Sequence, residues 1–172
     1  EIAPDAKDWT WELDERCGEC GYLGSEVVAS TVAELLRRNV AAWPVLLDAP
    51  DATQRRRPDR WSTLEYACHV RDVFRLFAQR LQWMLDEDGV AFPNWDQDAT
   101  AVAERYGEQD PAVVAAELVI AGEQLASAFE SVSGDQWSHR GLRSDGAVFT
   151  IETFARYFLH DPVHHRWDVE HD

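Results

Sequence analysis

The chain has 172 residues, with 16 Lys and Arg against 32 Asp and Glu, a formal charge of −16 at pH 7. A surface this acidic repels phosphate backbones and anionic headgroups, which argues against nucleic acid or a membrane as partner. With 45% hydrophobic and 28% charged residues, no run of about 18 apolar residues and no signal-peptide pattern at the start, the composition predicts one soluble domain with a full core.

Residues 1–24, "EIAPDAKDWTWELDERCGECGYLG", show no helical period and read as an irregular N-terminal arm, with residues 25–172 as the main domain. A first helix is expected from Glu26 to Trp43. Val28, Val32, Leu35, Leu36 and Trp43 share one face, and Pro44 disturbs its end. Asn39 falls in the middle of that apolar face. A second helix is expected over Thr63–Asp86, opened by the capping box "STLE" of Ser62–Glu65, with Val70, Val73, Phe74, Phe77, Leu81 and Met84 as its stripe. Asp110 and Pro111 form an N-cap and first helical position for the third, whose inner face is Val114, Leu118, Ala121, Leu125, Phe129 and Val132. The fourth begins near Thr150 and carries Ile151, Phe154, Phe158 and a group of histidines. The connection Gly89–Asp110 has room for a short helix near Thr100–Tyr106, and a small hairpin is expected at Asp145–Gly146. Four long amphipathic helices with no period-two segment predict an all-α four-helix bundle.

The chemistry-bearing stretch is "FLHDPVHH", residues 158–165. On a helix His160 and His164 point the same way, with Tyr157 and Trp167 extending their line. Two imidazoles rarely suffice for a divalent ion. His69, at the edge of the buried face of the second helix beside Val73, is the best third donor. Three histidines leave open positions on a metal, as a catalytic site requires. The competing reading is a His-rich helix end with His69 as a hydrogen-bonded histidine at the core rim. Pro162 is expected to kink the helix between the pair, leaving His165 a reserve ligand.

Cys17 and Cys20 have the spacing of half a zinc knuckle, of a redox pair, or of a plain buried arm. Cys68 adjoins His69 but faces about 100° away from it. An odd number of cysteines in a chain of this size predicts a reducing, cytoplasmic setting. Asn39, Trp95, Asp96 and Tyr157 are candidates to line a substrate pocket near the metal, with Asn39 alternatively an internally satisfied core amide. No G-x-S-x-G, Walker, G-x-G-x-x-G, H-E-x-x-H or repeated E-x-x-H pattern is present.

"WSTLEYACHVRD", Trp61–Asp72, followed far downstream by "FTIETFARYFLHDPVHHRWDV", Phe149–Val169, resembles the DinB-like superfamily, which includes bacillithiol transferases and mycothiol-dependent maleylpyruvate isomerases. The first stretch is similar to its W-S-x-x-E-x-x-x-H element and the second to its H-x-x-x-H element. The resemblance covers roughly Ser25–Val169 and implies an up-down-down-up four-helix bundle. It also implies a divalent metal, commonly zinc or nickel, held by His69, His160 and His164. The activity it implies is activation of a low-molecular-weight thiol, such as a mycothiol-like one, or of water, for transfer to or isomerisation of a small electrophile. A non-catalytic metal-binding or stress-response module with the same fold is the alternative. Homodimers are common in the family. The arm motif "CGECG" and Pro162 depart from the general pattern.

Overall fold

The computed structural model describes residues 9–171. The first eight residues of the expected arm, and Asp172, lie outside the described residues. From Trp9 onward the arm is a series of 3₁₀ turns, at Thr10–Leu13, Gly24–Glu26 and Ala29–Thr31. The expected first helix is therefore shorter and split, into α1 (Val32–Val40) and α2 (Trp43–Leu47). Pro44 sits in the first turn of α2, where its missing N–H costs nothing, and opens that helix instead of ending the preceding one. Val28, expected on the inner face, precedes α1 and is exposed.

The second expected helix is α3 (Thr63–Asp86). Its capping box forms as read: Glu65 N donates to Ser62 Oγ, and Ser62 N donates to Glu65 Oε2. Then come strand β1 (Val90–Ala91), the short helix α4 (Gln97–Ala103) and α5 (Pro111–Glu130), whose N-cap Asp110 accepts from Ala112 N and Val113 N. Strands β2 (Arg140–Leu142) and β3 (Val148–Thr150) form the hairpin, with Gly146 at φ +91, a left-handed conformation glycine tolerates freely. β1 pairs parallel to β2, so a small three-stranded sheet of order β1-β2-β3 accompanies the otherwise helical chain. The last element, α6 (Ile151–His171), runs as helix through Pro162.

Side-chain contacts give the directions of the four long helices. Along α1 and α5, Arg37 pairs with Glu130 and Glu123, and Val40 meets Gly122, so these two run antiparallel. Along α3 and α5, Arg71 pairs with Glu117 and Phe74 meets Gly122, so these two run parallel. Phe77 packs on Phe154 at 4.8 Å and Phe158 at 5.0 Å, while His69 faces Asp161, so α6 runs antiparallel to α3. The order is up-down-down-up. The inner faces of α3 and α5 are buried as their periodicity predicts. By length and a mean hydropathy of 1.5, α5 also meets the criterion for a membrane span, yet its Val114–Phe129 stripe is buried within the bundle. Gly122 marks a close helix approach, because a Cβ there would lie 2.4 Å from Val40 Cγ2.

Candidate functional site

The phenylalanine contacts between α3 and α6 fix the relative height of the two helices, and with it the site. Two successive i, i+4 pairs on α6, His160/His164 and Asp161/His165, lie on neighbouring stripes of the helix. The proline between them is held from outside: Asn39 Nδ2 donates to the Pro162 carbonyl at 2.9 Å, and Trp43 Nε1 donates to Asn39 Oδ1 at 3.0 Å. Asn39 is thus satisfied within the core and is not among the residues lining the cavity described below. Asp96 caps α4 by accepting from Ala99 N, and is likewise not among the cavity residues.

The structure distributes His69, His160 and His164 over two groups. In the first, one donor atom each from His69, Asp161 and His165 lies within 4.8 Å of the others. His69 is fully buried, with Nε2 3.2 Å from Asp161 Oδ2, and His165 Nε2 is 3.7 Å from the same oxygen. Trp95 stacks on the His69 ring at 5.7 Å and Trp61 covers it at 5.4 Å. Asp168 Oδ2 lies 3.0 Å from His165 Nδ1, and Arg60 Nη1 holds the other Asp168 oxygen at 3.1 Å. An imidazole with one nitrogen on a carboxylate and the other turned toward neighbouring donors is how proteins orient metal ligands. Burial works against the Asp161 charge, but His69 and His165 outweigh it and hold the carboxyl at about 2. Burial likewise disfavours the His165 cation, yet Asp161 and Asp168 raise its pKa above the ordinary histidine value. Among the described residues, no hydrogen bond reaches the buried Asp161 Oδ1. Two imidazoles, a carboxylate that stays ionised and an orphaned buried oxygen fit a divalent metal ion.

The second group joins the His160/His164 pair to the arm. Donor atoms of Cys17, Cys20, His160 and His164 all lie within 4.8 Å of one another. Cys17 is buried, Cys20 half-buried, and both are free thiols. Burial opposes a Cys17 thiolate, but the amides of Glu19 and Cys20 and the His160 side chain more than compensate and lower its pKa. For His160 burial is again the opposing influence, and Cys20 and the paired Glu12 push its pKa up to about 11. Cys68 stays apart, buried with its Sγ 3.8 Å from the Tyr106 carbonyl.

Both groups border one cavity of about 380 Å³. Trp95 and Tyr157 line it together with Trp9, Phe77, Arg80 and Arg143. Arg143 donates to the Tyr157 hydroxyl at 3.1 Å and pairs with Asp145. Arg80 donates to the Pro93 carbonyl, its Nε is buried without a hydrogen-bond partner, and among the described residues no carboxylate pairs with it. Asp161, Asp168, Glu12 and Arg80 are the residues that sequence reasoning passed over. Only Asp161 carried a readable signal, the D-x-x-x-H spacing one position out of step with H-x-x-x-H.

A search of curated proteins finds no match. Among solved structures the chain is similar to YfiT from Bacillus subtilis, described as "a probable metal-dependent hydrolase with an unusual four-helix bundle topology". The TM-score is 0.71 at 16% identity, over 83% of this chain and 85% of that one. The family model of the DinB superfamily matches residues 31–169, which takes in every helix of the bundle and both α6 pairs. The chain belongs to the DinB superfamily.

Proposed function

We propose that the chain is a metal-dependent enzyme whose centre is His69, Asp161 and His165, acting on a small carboxylate-bearing electrophile. A low-molecular-weight thiol or water is the nucleophile and zinc or nickel the metal. The observation that carries this is the convergence of three donors within 4.8 Å, beside a cavity large enough for a small molecule. Three protein ligands leave positions open, the mark of a catalytic centre. When bound, a divalent cation supplies the Lewis acidity that ionises a thiol or water near neutral pH.

The chain's own residues supply the rest. Asp168 fixes the orientation of His165, and Trp61 and Trp95 keep water from His69. Among the described residues Arg80 has no carboxylate of its own, so an anionic group on the substrate would supply the counter-charge of its buried guanidinium. The description of YfiT as a hydrolase supports water as nucleophile, and the family's thiol-dependent members support a thiol. The arginines of "RRRPDR" engage carboxylates, Arg55 with Glu65, Arg56 with Asp51, Arg57 with Asp59 and Arg60 with Asp168, which supports small molecules over nucleic acid as partners.

The test is turnover by zinc- or nickel-loaded protein of carboxylate-bearing esters alone, and of carboxylate-bearing activated alkenes with a small thiol. Activity is expected in one of the two panels. Arg80→Met should raise KM by roughly 10–100-fold with little change in kcat, the loss of about 1.5–3 kcal/mol from a charged hydrogen bond. Metal-loaded protein inert in both panels would make the chain a binding module instead.

A further inference from the structure

We propose that Cys17, Cys20, His160 and His164 form a second, closed zinc centre that fastens the N-terminal arm to α6. This goes beyond the reading of the His69 centre and does not depend on it.

Four observations converge. The first is distance. Cys17 Sγ and His164 Nδ1 are 3.6 Å apart, and a tetrahedron with bonds of about 2.3 Å to sulfur and 2.0–2.1 Å to nitrogen has a sulfur–nitrogen edge of about 3.6 Å. The second is orientation. Each histidine turns its other nitrogen to a carboxylate, His160 Nδ1 to Glu12 and His164 Nε2 to Glu19 at 3.4 Å. That leaves His160 Nε2 and His164 Nδ1 for the thiols; His160 Nε2 is buried and, among the described residues, has no other group to bond.

The third is the local fold of the arm. Cys17 N donates to the Tyr22 carbonyl at 2.8 Å, Gly21 N donates to the Cys17 carbonyl at 3.0 Å, and Gly21 takes φ +75 directly after Cys20. The chain therefore reverses around the two sulfurs, and a side chain at residue 21 would strain that turn. The fourth is burial: Glu12 is 1% exposed and pairs with His160, so the carboxylate that orients this ring is itself fixed in the core.

Two thiolates and two imidazoles select zinc over magnesium, calcium or manganese and complete its coordination, so no position remains for substrate. Binding the ion releases one proton from each thiol and leaves the sulfurs unoxidised. The consequence for the cavity is direct. Trp9, whose ring lies 5.5 Å from His160 and 5.6 Å from His164, lines it, so the clasped arm forms one of its walls.

Cobalt(II) substitution tests this. Protein stripped with a chelator and titrated with cobalt(II) should show near-ultraviolet thiolate-to-cobalt absorption together with tetrahedral visible bands. Both should disappear in the Cys17→Ser/Cys20→Ser double variant and persist in His69→Ala. A wild-type measurement guards against misfolding of the variant. Alkylation mapped by mass spectrometry should spare Cys17 and Cys20 in the zinc-loaded protein and label both after chelation, while buried Cys68 stays unlabelled in each. Cobalt spectra unchanged by the double substitution, labelling of Cys17 and Cys20 indifferent to zinc, or a Cys17–Cys20 disulfide in zinc-loaded, reduced protein would each overturn the proposal.

Discussion

Replacing Asp161 with alanine removes metal from the His69 centre and takes turnover to the uncatalysed background, while the thiolate–cobalt absorption of the arm centre is unchanged. Asp161 Oδ2 lies 3.2 Å from His69 Nε2 and 3.7 Å from His165 Nε2, so its loss takes away the anion between the two imidazoles. Two neutral donors rarely hold a divalent ion. The affinity lost should exceed the roughly 10–100-fold that removal of an outer partner costs, since a ligand itself is gone. Elemental analysis of dialysed protein reads it as a fall of one equivalent per chain. A variant that keeps its full metal content would show that Asp161 is not a ligand.

Asp168→Ala should damage stability and metal binding together. This carboxylate is 3% exposed, holds Arg60 through one oxygen and His165 through the other, and faces His164 Nε2 at 3.9 Å. It is the residue that stands beside both centres. Breaking a buried ion pair costs about 3–5 kcal/mol, and the lower end applies because Arg60 is one-third exposed. Without its partner the His165 ring is free to rotate, and affinity at the His69 centre should fall roughly 10–100-fold. Urea unfolding of metal-free protein reads the first effect and competition with a chelator reads the second. If stability falls but affinity does not, Asp168 serves the fold alone.

The parts of the fold legible in the sequence are those governed by local physics. α3 and α5 keep an unbroken 3.6-residue period over 24 and 20 residues and carry their start signals at Ser62–Glu65 and Asp110–Pro111. The region before α3 misled because the apolar residues from Val28 to Trp43 fit a helical face, although the chain reaches α1 through 3₁₀ turns. Strands of two and three residues are too short to show alternation, so only the turn at Gly146 announced the sheet.

At the site, the His160/His164 pair and the buried position of His69 could be read from spacing. Asp161 could not be told from an ordinary solvated charge on a helix end, because its partner His69 lies on α3, 92 residues away in the chain. The C-x-x-C spacing was legible as half a knuckle. Its other half lies 147 residues away on α6, a separation that no local pattern bridges. Cys68 was expected to face away from His69, and its Sγ lies 3.8 Å from the Tyr106 carbonyl.

The most direct test is an anomalous difference map from crystals of zinc-loaded wild-type protein, recorded at the zinc edge. Two peaks are expected, one bonded by His69, Asp161 and His165 with at least one position not filled by protein, the other enclosed by Cys17, Cys20, His160 and His164. A single peak bonded by His69, His160 and His164, with both cysteines free of metal, would contradict the division of the histidines between two centres.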